Sequence, residues 1–279
     1  MEKQNRSTVD FILGKKRTHE KITMLTAYDY PFASLVDKAG IDIILVGDSL
    51  ANVVLGLEST REVGMAEMIH HAKAVNRAVK RSLLIGDMPY GSYKTPALAV
   101  KNAKRFVKEA GCNAVKLEWF EKCSQVAEAM VKAGIPVMGH VGLTPQTVTK
   151  RDGFKVRGTD AVSAEEIIAH AKVLEKKGCF SVVLECIPDK IAEIITKALK
   201  IPTIGIGAGV NCDGQVLVTY DLLGLNDRHI PKFVKQYANL SYTVLEAIIR
   251  YRNEVRSGKF PSENYRFTIK QEEVEKIKK

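Results

Sequence analysis

No stretch of eighteen consecutive apolar residues occurs anywhere in the chain, which excludes a membrane-spanning helix. The N-terminal run Met1-Glu2-Lys3-Gln4-Asn5-Arg6 has no apolar signal core. Cysteine is scarce: Cys112, Cys123, Cys179, Cys186 and Cys212 are scattered with no Cys-x-x-Cys spacing. An odd, scattered set in a chain this long points to reduced thiols and a cytoplasmic location. Low-complexity linkers are missing too, and no Lys/Arg run interleaves with aromatics. The net charge of +10, from 42 basic and 32 acidic residues, is spread along the chain and broken by acids. That pattern fits a solvated surface attractive to anionic substrates better than a nucleic-acid binder.

What is present is enough for one large core: 279 residues with 46% hydrophobic content. Short apolar runs recur at 22–26, 43–46, 83–85, 114–117, 136–138, 182–184 and 203–206, with a weaker eighth at 216–218. Several are continuous rather than alternating, as expected of parallel strands covered on both faces. Amphipathic stretches at 65–80, 96–110, 121–133, 163–177 and 189–199 separate them, and Gly40, Gly111, Gly134 and Gly178 punctuate helix ends. Alternating strand and helix means right-handed βαβ units. Eight strands over some two hundred residues predict a closed (β/α)8 barrel, with an open doubly wound sheet as the second choice. The expectation is a single barrel domain over 1–279, with extra flanking helices at 7–14 and 232–257 and a charged, fraying tail at 268–279.

Five strand runs end in polar groups: Asp48-Ser49, Asp87, Lys116 with Glu118, His140, and Glu185. In a barrel all strand C-termini open onto one face, and that face carries the chemistry. Asp48, Asp87 and Glu118 would repel one another in a partly dry pocket. A hard divalent cation relieves that conflict, and an all-carboxylate set favours magnesium. The same acids also suit helix caps or partners for Lys116. Lys116 and Glu118, two residues apart, point to the same side of the strand. Lys116 there either neutralises a substrate carboxylate or forms a structural ion pair. His140 is a substrate contact or a core imidazole. Glu185, between Leu184 and Cys186 on an apolar strand, is a candidate general base or a second partner of Lys116. Gly205-Ile206-Gly207-Ala208-Gly209 lacks the Gly-x-Gly-x-x-Gly spacing and reads as close backbone packing at a strand end.

Several motifs then add up to a resemblance. They are Thr26-Ala27-Tyr28-Asp29, Leu45-Val46-Gly47-Asp48-Ser49, and 86–93 from Gly86-Asp87 to Tyr93. Further along come Val115-Lys116-Leu117-Glu118, 139–146 from Gly139-His140 to Gln146, Leu184-Glu185-Cys186-Ile187-Pro188, 204–209, and 213–218. In this order, over roughly 20–267, the chain resembles the ketopantoate hydroxymethyltransferases. The resemblance implies a (β/α)8 barrel and hydroxymethyl transfer from methylenetetrahydrofolate, or another methylene-tetrahydropterin, to 3-methyl-2-oxobutanoate. It implies Asp48, Asp87 and Glu118 around magnesium, and Asp48, Ser49, Asp87 and Lys116 on the 2-oxo acid. His140 would lie near that substrate, with Glu185 as proton acceptor. It also implies a large homo-oligomer, typically a decamer. Another enolate-forming barrel enzyme, a 2-oxo-acid lyase or phosphoenolpyruvate mutase relative, is the alternative. At two places the chain departs from the family pattern. Trp119-Phe120 stand where Gly-Gly is usual, and Arg61-Glu62-Val63-Gly64 replace Leu-Pro-Val-Thr.

Overall fold

The computed structural model describes residues 6–148, 155–226 and 230–277. Eight strands run parallel and close into a barrel in sequence order. They are β1 (Ile22–Thr26), β2 (Ile43–Val46), β3 (Leu83–Asp87), β4 (Ala114–Lys116), β5 (Val137–Gly142), β6 (Ser181–Glu185), β7 (Thr203–Ile206) and β8 (Gly214–Leu217). Pairing of β1 with β8, from Ile22 opposite Gly214 to Leu25 opposite Leu217, seals the cylinder. The eighth strand begins two residues before the expected 216–218. Gly214 permits this, since a Cβ there would lie 2.4 Å from the Ile22 carbonyl oxygen.

Each of the five amphipathic stretches forms a helix with ends within two residues of those expected, and two further helices after the first two strands had no expected counterpart. α1 is Val9–Arg17, α2 Tyr30–Lys38, α3 Leu50–Val53, α4 Met65–Ala78, α5 Pro96–Lys108, α6 Cys123–Lys132, α7 Ala161–Lys176, and α8 Asp189–Ala198. Caps set several boundaries: Asp29 accepts from the Phe32 N–H, Thr95 from Leu98 and Asp160 from Ser163. After β8 come α9 (Thr219–Leu222), α10 (Leu240–Arg256) and α11 (Gln271–Ile277). The last flanking helix thus starts at Leu240, not at 232, because Asn239 caps it by accepting from the Tyr242 N–H. The charged tail contains a short exposed helix rather than only frayed chain.

Two apolar layers follow from the period of two along each strand. Ile22, Met24, Ile43, Leu45, Leu83, Ile85, Ala114, Met138, Val183, Ile204 and Val216 fill the barrel. Ile44, Leu84, Val115, Val137, Val182 and Leu184 face the helices. α1 plugs the N-terminal end: buried Ile12 joins the interior layer, and Lys15 and Lys16 pair with Asp42 and Asp213. The opposite end is left open to polar groups. Among the described residues no helix is long and apolar enough to cross a membrane.

Candidate active site

The inward parity that fills the barrel also delivers its chemistry. Asp87 continues the Leu83–Ile85 series, Lys116 follows Ala114, His140 follows Met138, and Glu185 follows Val183. All four top the interior at the C-terminal mouth, joined by Asp48 just beyond β2 and Glu118 just beyond β4. Asp48, Asp87, Lys116, Glu118 and His140 are buried, and Glu185 is partly exposed.

Lys116 Nζ lies 2.7 and 2.8 Å from the two Asp87 oxygens. The ion-pair reading of Lys116 is therefore the arrangement seen, and Asp87 rather than Glu185 is its partner. The Asp48 N–H donates to Asp87 Oδ2 at 3.3 Å. Neither aspartate side chain caps a helix; each is spent inside the cup. Ser49 shares a hydrogen bond of 2.8 Å with the buried Tyr28 hydroxyl. His140 Nε2 is 3.2 Å from Glu185 Oε2, and Nδ1 is 3.6 Å from Glu118 Oε1. Neither contact has hydrogen-bond geometry, so both ring nitrogens are buried without a hydrogen-bond partner. His140 is therefore not a fully hydrogen-bonded core imidazole: its two nitrogens face the Glu118 and Glu185 carboxyl groups.

Two residues carrying this cup had no role in the sequence reading, although both lay inside the quoted motifs. Gln146 Nε2 donates to Asp48 Oδ2 at 2.8 Å and to the Met88 carbonyl at 3.0 Å. Its backbone N–H donates to Glu118 Oε2 at 2.9 Å. Tyr93 donates its hydroxyl proton to Gln146 Oε1 at 2.5 Å and accepts the Glu118 N–H at 3.4 Å. Gln146 thereby ties two acids from different strands.

Charge in the cup is unbalanced, with four carboxyl groups, those of Asp48, Asp87, Glu118 and Glu185, facing the one ammonium of Lys116. Burial first, and the neighbouring charge of Asp87 second, push the Asp48 carboxyl up to about 7. Burial also holds Glu118 well above the usual range, against the pull of Lys116. Burial alone would lower Lys116, but Asp87, Glu118 and Asp48 outweigh it and hold the ammonium above its ordinary range. Among the described residues no three His, Cys, Asp or Glu side chains converge as a ready-made metal cage. The donor chemistry nonetheless suits a hard cation: oxygens only, from adjacent strand ends, carrying excess negative charge.

The departures from the family pattern are also placed. Trp119 stacks on His170 of α7 with ring centroids 3.9 Å apart. Arg61 and Glu62 form a single 3-10 turn, where Glu62 accepts from the Ser59 N–H at 2.8 Å. The glycine-rich run packs closely as expected: a Cβ on Gly209 would lie 2.6 Å from that of Asp189.

A closed (β/α)8 barrel with acids, a lysine and a histidine at its strand C-termini defines the class of barrel enzymes that work at that mouth. Among solved structures, phosphonopyruvate hydrolase shares this fold at a TM-score of 0.61 and 12% identity, covering 96% of this chain and 94% of that one. 2,3-Dimethylmalate lyase, a member of the PEP mutase/isocitrate lyase superfamily, aligns at 0.60 and 14% identity over 92% of each. The likeness at sequence level is much greater elsewhere. The 3-methyl-2-oxobutanoate hydroxymethyltransferase of Moorella thermoacetica is 53% identical over 268 residues, 96% of this chain and 100% of its own. That of Syntrophomonas wolfei is 50% identical over 273 residues, 98% and 99% of the two chains. The profile of ketopantoate hydroxymethyltransferase matches residues 6–263, and the chain belongs to that family.

Proposed function

We propose that the protein transfers a hydroxymethyl group from a methylene-tetrahydropterin to 3-methyl-2-oxobutanoate, giving 2-dehydropantoate. One observation carries this reading. The chain's buried Asp48, Asp87, Lys116, Glu118 and His140 gather with Glu185 at one barrel mouth, in a chain half-identical to transferases of that name.

The oxo acid enters as an anion. Lys116, already held charged by Asp87, meets its negative charge, while Asp48 and Ser49 fix its position at the end of β2. Asp48, Asp87 and Glu118 would hold magnesium, which would supply Lewis-acid stabilisation of the forming enolate. Glu185 takes the C3 proton, and the electron pair left behind moves into the enolate. Water opens the donor's N–CH2–N bridge, leaving the tetrahydropterin with both nitrogens protonated and the one-carbon unit at the formaldehyde level. C3 then bonds to that carbon, whose oxygen takes the proton from Glu185 and becomes the hydroxyl. His140, beside Glu185 with unpartnered ring nitrogens, steadies that carboxylate and the charge forming next to it. We assign the same chain to the cytoplasm and to a homo-oligomer.

The test is turnover of 3-methyl-2-oxobutanoate with and without methylenetetrahydrofolate and magnesium. Product is expected only when both are supplied. Turnover that ignores the pterin overturns the reading in favour of a lyase or mutase.

A further inference from the structure

One departure from the family pattern, Phe120, lines a cleft beside the acidic cup, and another, Arg61, touches that cleft through Tyr90. The cleft's volume is about 190 Å³, and Tyr90, Tyr93, Lys94, Phe120 and Gln146 line it. Phe120, standing where glycine is usual, packs edge-on against Tyr93 at 5.5 Å and supplies an aromatic wall. Arg61, standing where leucine is usual, lies over the Tyr90 ring at 4.2 Å and donates to its hydroxyl at 2.9 Å. Lys94 Nζ sits 5.8 Å from the centre of the same ring. The inner wall is Gln146, whose amide also holds Asp48.

The cleft therefore has polarity from end to end. Inside it meets the residue that orders the acids; in the middle it is aromatic; outside it carries two exposed cations on one tyrosine. Among the described residues neither Arg61 nor Lys94 has a carboxylate partner. Glu62, next to Arg61, is committed to its own turn. A guanidinium and an ammonium held at one ring, 4.2 and 5.8 Å from its centre, present two positive ends to an anion. The volume exceeds the roughly 150 Å³ of a cavity that takes up benzene, so it suits one aromatic ring.

Resting on the transferase reading above, we propose that this cleft is a specificity site for the donor's aminobenzoyl-glutamate half. The aminobenzoyl ring lies between Tyr90 and Phe120, and the glutamate carboxylates meet Arg61 and Lys94. This orientation leaves the donor's one-carbon end on the Gln146 side, toward the cup. Leucine at 61 and glycine at 120 would give neither the charge nor the wall.

Two small probes test it without turnover. By calorimetry, p-aminobenzoylglutamate is expected to bind about tenfold more tightly than p-aminobenzoate, since each exposed ion pair is worth a few-fold. Arg61→Leu with Lys94→Gln should abolish that preference. Each single change should halve it on a logarithmic scale, which keeps the test informative if the double variant folds poorly. Equal affinity for the two probes, or a preference retained in the variants, overturns the proposal. The functional reading fails separately: turnover independent of the pterin would sink it while leaving the probe preference intact.

Discussion

Gln146 shows how much one neutral side chain does in a charged cup. Its amide and backbone N–H hold Asp48 and Glu118, and its carbonyl takes the Tyr93 proton. Gln146→Leu keeps the volume but releases Asp48 and strands the Tyr93 hydroxyl. The expected result is a loss of about ten- to a hundredfold in kcat/KM, typical of residues that orient a metal's ligands. The concentration of magnesium needed for half-activation should rise with it. An unchanged magnesium requirement would mean that Gln146 only packs. At Glu185 the expectation is sharper. Glu185→Gln retains shape and polarity but cannot take a proton. Oxo-acid binding should persist, while solvent exchange of the C3 proton falls by about a hundred- to ten-thousandfold. Exchange at the wild-type rate would remove Glu185 as the base and turn attention to His140.

At the scale of elements, Asp37 fastens α2 to the turn that feeds β3. Its carboxylate accepts the N–H groups of Lys80, Arg81 and Ser82 at 3.0, 2.9 and 2.9 Å, and it is buried. Burial pushes this carboxyl up, yet the hydrogen bonds from Ser82, Arg81 and Lys80 outweigh it and hold it below the ordinary value. The folded protein therefore releases this proton more readily than the unfolded chain. The contribution to stability is complete above the unfolded pKa of about 3.9 and is lost as pH falls through the lower folded value. Thermal melts from pH 3 to 7 should show that acid-side loss in the wild type and a weaker one in Asp37→Asn. Asp37→Ala leaves three donors without their acceptor and should cost about 3 kcal/mol at neutral pH.

For the whole molecule, α10 is the element the barrel does not explain. None of its residues is buried, and Tyr242, Leu245, Ile248, Tyr251 and Val255 are between 46% and 64% exposed. A helix gains most of its stability from packing an apolar face, so this one needs cover. A second copy of the chain is the expected cover. Size-exclusion chromatography should give an assembly larger than the 30.9 kDa chain. Leu245→Glu with Ile248→Lys should shift it to smaller species. A wild-type monomer at micromolar concentration would refute that assignment.

Continuous apolar runs and helix punctuation made the barrel legible in the sequence, because a strand buried on both faces has nowhere for polar residues except its ends. For the same reason Asp87, Lys116, His140 and Glu185 could be read as strand-end groups: a period of two carries their orientation without any partner. The weak points were those where local pattern stops. The start of β8 depended on how closely Gly214 approaches Ile22, and the start of α10 on the Asn239 cap. Tyr93 and Gln146 lie in loops, which have no periodicity, and their role exists only through acids far away in sequence. Lys116 had four possible carboxylate partners, Asp48, Asp87, Glu118 and Glu185, until the barrel closed and set it against Asp87. By itself the sequence determined which groups reach the mouth, since side-chain parity along a strand is a local property. Tertiary structure alone decided which of them touch, because those distances depend on the register and closure of eight strands at once.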